Sequence, residues 1–133
     1  MAVTNDRNTL ERQGSRFAYE VAANAVIHAG TIVCLQAGAA VPGAATAGLV
    51  TVGIAQDAAD NSGGAKGARS VQVRTGTFLL ANAATDAVTA AEIGADCFVF
   101  DNETVAKSNG GTNRPKAGRV RAVEPGGVWV TIA

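Results

Sequence analysis

Large apolar residues in this chain recur at every second position over several short stretches, the period of strands that bury one face. Phe17, Tyr19 and Val21 alternate with Ala18 and Glu20, and Val50, Val52 and Ile54 alternate with Thr51 and Gly53. Residues 70–80 read as one long strand: Val71, Val73 and Thr75 face one way, Gln72 and Arg74 the other. Gly76 inside it marks a bulge or bend. Residues 31–35 form a continuous apolar run after Gly30, which predicts a strand covered on both faces. Residues 97–100 predict another strand, ended by Asp101 and Asn102, with 104–107 returning as its hairpin partner. Strands at 119–123 and 128–132 are joined across Pro125-Gly126-Gly127, with Val128, Val130 and Ile132 on one face. About seven short strands between frequent turn signals predict a mainly β, small barrel or sandwich-like single domain.

The intervening stretches at 37–48, 57–68 and 108–116 are rich in Gly, Ala, Pro and polar residues and read as loops. Thr89-Ala-Ala-Glu92 matches a capping box, and Gly94 limits the helix it starts to one short turn. Residues 1–16 have only Met1, Val3 and Leu10 as large apolar members. Such a segment cannot cover itself against a core, so it is expected to be a frayed terminus or an extended arm that orders on a partner. The organisation expected is an arm at 1–16 and a β-rich domain at 17–133.

Composition narrows the function classes. Ala occurs 28 times, Val 16 and Thr 12, so the core is built of small, β-favouring side chains. A thin core of this kind gains from oligomerisation. Eleven Lys and Arg balance eleven Asp and Glu, which removes the broad attraction that general nucleic-acid or membrane binding needs. The single His, His28, excludes a His-rich metal centre, and Cys34 with Cys97 cannot make a structural zinc site. They form no CxxC motif either, and whether they pair is left open, with the buried thiol favoured for folding in cytoplasm. No apolar run approaches the roughly 20 residues of a membrane span, and the polar first residues lack the form of a secretory signal.

Candidate chemistry is sparse. Gly63-Gly-Ala-Lys66-Gly67 lacks the Gly-Lys-Ser/Thr ending of a phosphate loop and reads as an exposed hairpin loop. His28 precedes Ala29-Gly30 at an expected turn, and no GxSxG-type nucleophile motif accompanies it. The pairs Asp57/Asp60 and Asp101/Glu103 read as solvated turn charges without the ligand spacing of a calcium loop. Lys107, Arg114, Lys116, Arg119 and Arg121 form a basic run with no acid or aromatic residue between them. Lacking a stacking platform, that run suits an acidic protein surface better than a nucleic acid. Trp129 lies opposite Val128 and Val130 in the alternation, closing a second core face or meeting another subunit. The reading is of a non-enzymatic protein without cofactor or metal, whose function lies in its surfaces.

The order of these pieces resembles the capsid cement, or head-decoration, proteins of tailed bacteriophages, from about Leu10 to Ala133. The marks are Arg12-Gln-Gly14, Ile27-His-Ala-Gly-Thr-Ile-Val33, Val52-Gly-Ile-Ala55, Asp60-Asn-Ser-Gly63 and Val71-Gln-Val-Arg-Thr-Gly-Thr-Phe78. Val88-Thr-Ala-Ala-Glu-Ile-Gly94, Val99-Phe-Asp101, Thr104-Val-Ala-Lys107, Ala117-Gly-Arg-Val120 and Val128-Trp-Val130 complete them. The resemblance implies a β-tulip-like subunit that forms a homotrimer on the expanded head and bridges major capsid proteins. It implies a virion protein of the outer capsid surface, made in the bacterial host cytoplasm, with no specific nucleic-acid or membrane partner. In similar proteins the arm reaches over neighbouring capsid subunits; here Val3 and Leu10 would anchor it, and Arg7, Arg12 and Arg16 would meet capsid carboxylates. The alternatives are a phage head or tail appendage that binds host-surface glycans, and a small β-barrel hydrolase using His28.

Overall fold

The computed structural model of the chain describes residue 2, residues 4–10 and residues 14–133. The protein is mainly β, with 46% of it in strands and a single 3-10 turn, so nearly all of its architecture lies in strand pairing.

The first half is a five-stranded antiparallel sheet in the order β1-β7-β5-β3-β4. Its members are β1 (Arg16–Glu20), β3 (Ile32–Gln36), β4 (Ala39–Pro42), β5 (Val50–Ala55) and β7 (Ser70–Arg74). A small ribbon, β2 (Val26–Ile27) with β6 (Ala59–Asp60), lies beside it. The sheet rolls until its edges meet: Val21, just past β1, bridges Ala40 of β4, and the Ala22 amide donates to the Ala40 carbonyl at 2.9 Å. Inside sit Val21, Ile27, Val33, Ala40, Val71 and Val73, all nearly or wholly buried.

The second half is a closed barrel in the order β10-β8-β12-β11-β9. It comprises β8 (Gly76–Asn82), β9 (Asp96–Val99), β10 (Thr104–Ala106), β11 (Lys116–Glu124) and β12 (Gly127–Ile132). Val99, Val105, Val120, Val128 and Val130 fill it. Ile32, Cys34, Leu49 and Ile54, from the first half, join the same cluster, so the first half contributes to the barrel's core as well as to its own. The Ile32 amide adds a hydrogen bond to the Asn102 carbonyl at 2.7 Å.

Most predicted strands are present. The alternation at 71–74 becomes buried Val71 and Val73 against exposed Gln72 and Arg74, and Val128, Val130 and Ile132 point into the barrel. The capping box forms: the Thr89 amide donates to Glu92 Oε1 at 2.7 Å, and the Ala91 amide donates to Thr89 Oγ1 at 3.3 Å. The strands at 97–100 and 104–107 pair antiparallel as expected.

Four expectations change. The long strand at 70–80 is two strands broken at Thr75, and Gly76, at φ +150°, carries the chain from the first sheet into the barrel. The loop expected at 37–48 contains β4, which pairs with β3 across a two-residue turn. That turn holds Ala37 and Gly38 at φ +50° and +83°, the left-handed pair of a type I′ hairpin. Arg16, assigned to the arm, is the first residue of β1 and pairs in register with Arg74. The amide and hydroxyl of Thr75 donate to the Ser15 and Gly14 carbonyls, so the ordered body starts before residue 17. The loop expected at 57–68 contains β6 and is pinned by Asn61, which is 2% exposed and donates to the Ala22 and Ala65 carbonyls at 2.9 and 3.0 Å. A buried side-chain amide with its donors paired ties this segment to the β1 end of the chain at Ala22.

Candidate functional site

Both cysteines are free and buried. Burial pushes both thiols up, Cys97 to about 11, so they remain protonated packing groups at neutral pH. His28 lies exposed at its turn, and among the described residues no group of three or more His, Cys, Asp or Glu gathers at one point. Among the same residues no helix is long and apolar enough to cross a membrane. Three exposed regions stand out among the described residues.

The first is the arm. Val3 and Arg12 lie outside the described residues. Arg7 and Leu10 are exposed, Leu10 to 89%, and none of residues 4–10 enters a strand. Arg16, at the root of the arm, is exposed and stands opposite exposed Arg74 across β1 and β7. Like charges placed directly opposite destabilise a sheet, so this pair costs the fold a few tenths of a kcal/mol, up to about 1. Arg74 relieves part of its charge over the Phe78 ring, 5.6 Å from the centroid.

The second is the outer wall of the barrel. Strand register sets Leu79, Trp129 and Ala122 side by side across β8, β12 and β11. Trp129 is half-buried and belongs to neither core cluster, while Leu79 is 43% exposed. The alternation therefore sends Trp129 outward, beside a second large apolar residue.

The third is basic. The structure divides the basic run of the sequence. Arg114 leaves it: its guanidinium is 2.8 Å from Asp86 Oδ2 and lies 5.1 Å from the centroid of the Phe100 ring. Ser108 donates both its amide and its hydroxyl to the same Asp86 carboxylate. Those Ser108 bonds first, and Arg114 second, hold the Asp86 carboxyl below its usual range and tie down the loop at 108–114. Lys116, Arg119 and Arg121 stay together around a cleft of about 500 Å³ between the halves, with Thr51 of β5 on the far side.

Two irregularities in β11 create that grouping. Against β9, Lys116 pairs with Phe98 and Gly118 with Cys97, so Ala117 is an extra residue. It shifts the alternation, and Lys116 and Arg119 both point outward although three positions apart. Against β12, Val120 pairs with Val130 and Ala122 with Trp129, which leaves Arg121 as the second extra residue. A row of outward side chains then crosses the barrel in register: Thr77, Thr131, Arg119 and Asp96. Asp96 also meets Lys116 at 3.5 Å. Bulges cannot be read from composition or charge runs, so the sequence showed the cations but not their convergence.

No protein-family model, curated protein or solved structure matches the chain.

Proposed function

We propose that this chain is a capsid cement protein, which binds the expanded head of a tailed phage as a homotrimer and bridges major capsid subunits from outside. The observation that carries the reading is the exposed arm, with Leu10 89% accessible beside a body whose cores are already filled. Burying one such side chain is worth about 1.5–3 kcal/mol, which a partner surface would collect and the isolated chain forgoes. Arg16 supports it further, because a cation held against Arg74 gains most from an external carboxylate. The Leu79–Trp129 row supplies an apolar outer wall suited to contact between subunits. Many weak contacts repeated over a shell would give avidity without strong single sites.

The test is co-sedimentation of the purified protein with shells of its own phage that lack it. Saturable binding to expanded shells, absent on unexpanded ones and near one chain per major capsid subunit, is the expected result; binding to neither form contradicts the reading. Outward-facing Trp129 favours a second reading, an appendage that stacks host-surface glycans on this residue. Glycan-array binding that disappears in Trp129→Ala would move that reading to first place.

A further inference from the structure

The cleft between the two halves carries an imbalance of charge that the fold itself does not use. Lys116, Arg119 and Arg121 line it with Asp96 as the one acidic side chain, and the terminal residue Ala133 lines it too, so three cationic side chains face the Asp96 carboxylate and the carboxylate of Ala133. Lys116 spends its charge on Asp96, at a distance of 3.5 Å between two exposed groups. Arg119 and Arg121 have no ion-pair partner among the described residues. Both project from β11 two positions apart, a separation of about 7 Å along a strand. The floor between them and β12 is backbone at Gly118, where an added Cβ would run into the Thr131 carbonyl and lie 2.9 Å from Val130 Cγ1. β11 and β12 therefore pack closely beneath the cations, and the cleft is walled there by main chain.

We infer that this cleft is a docking site for an extended acidic segment of a partner protein, with carboxylates on alternate residues. An extended peptide repeats its side chains on one face at about 7 Å, the same spacing as Arg119 and Arg121. Each guanidinium presents a planar fork that takes a carboxylate through two parallel hydrogen bonds. Thr51 and Thr131 line the same cleft, their hydroxyls already meeting Cys34 Sγ at 3.5 Å and Thr77 Oγ1 at 2.8 Å, so the charged forks carry the recognition. A polynucleotide fits less well: no aromatic side chain lines the cleft for base stacking, and the chain's zero net charge gives no general pull on polyanions. Asp96 is the internal competitor, since any incoming carboxylate must share Lys116 with it. The inference does not depend on the capsid reading, because it concerns the chemistry of the ligand and not its source.

The test uses the full chain and a short capped peptide of alternating glutamate and threonine, labelled for fluorescence anisotropy at low salt. Saturable binding is expected, weakening at least about tenfold in Arg119→Ala/Arg121→Ala, as loss of charge-assisted bonds requires. Asp96→Asn should tighten binding about twofold or more by freeing Lys116. Lys66→Ala/Arg69→Ala, which removes cations from a different loop, should leave it unchanged. Amide shifts in the NMR spectrum should centre on Gly118 and Thr131. The inference is overturned if the peptide does not saturate, if a glutamine–threonine peptide binds equally, or if the double arginine variant binds normally. Tighter binding of oligothymidylate or of inorganic phosphate than of the peptide would overturn it as well. Every substituted side chain here is exposed, and the thermal unfolding midpoint of each variant verifies that it is folded.

Discussion

In the body of the molecule, Val21, Val33, Val99, Val120 and Val130 are fully buried, whereas every described residue from Thr4 to Leu10 is exposed. The body spends its small valines on two interlocked interiors. The arm keeps its larger Leu10 in water. The body also leaves Val50, Leu79 and Ile93 exposed, so the contrast lies in the cores: the body has two of them and the described part of the arm contributes to neither. The cationic groups follow the same division. Arg114 is consumed by Asp86 and Phe100 within the body, while Arg7, Arg16, Arg119 and Arg121 stand exposed.

The largest expected effect tests whether the body is one unit. Ile32 belongs to the first sheet but packs in the cluster that fills the barrel. Ile32→Ala should cost about 3 kcal/mol while leaving a single cooperative urea transition. Two separated transitions would mean that the halves are independent domains.

Acid should loosen the body before it unfolds. Asp86 is held below the ordinary aspartate value of 3.8 by Ser108 and then Arg114, so its contribution is complete above that value and is lost as pH falls through the lowered one. The Ser108 amide resonance should therefore shift at a pH below 3.8 in the folded protein, and Asp86→Asn should abolish that step. A Ser108 resonance that titrates at or above the ordinary carboxylate value contradicts the latch.

Two smaller effects run in the stabilising direction. Arg16→Glu replaces a like-charge pair with an ion pair opposite Arg74, and should raise stability by about 0.5 kcal/mol while weakening shell binding. A variant that gains in both measurements would remove Arg16 from the binding surface. Ala37→Asn places a residue tolerant of left-handed backbone at φ +50°, and should add about 0.5 kcal/mol in the same urea titration. No gain there would mean that Ala37 carries no strain.

The strands legible in the sequence were those with one clean alternation, such as 17–21, 71–75 and 128–132, because burial on one face leaves a period of two. The Thr89–Glu92 capping box and the bend at Gly76 were legible for a local reason, since each depends on residues within one turn. β4 was hidden because its turn is Ala37-Gly38 instead of Asn-Gly, and the small residues around it read as loop. The surfaces were only half legible. Arg114 sits in the basic run, yet its partner Asp86 is 28 positions away, and only the fold shows that it is spent. Arg119 and Arg121 were visible as charges, but the bulges that aim them into one cleft arise from pairing with β9 and β12. Arg16 was legible as a cation, while its opposition to Arg74 needed the register of β1 on β7.

The division between arm and body is tested most directly by a variant that lacks residues 1–13 and keeps Gly14 and Ser15, whose carbonyls bind Thr75. Its thermal midpoint and its co-sedimentation with expanded shells would be measured beside those of the full chain. The account predicts an unchanged midpoint and loss of shell binding. Shell binding that survives the deletion, in a variant that melts normally, would contradict it.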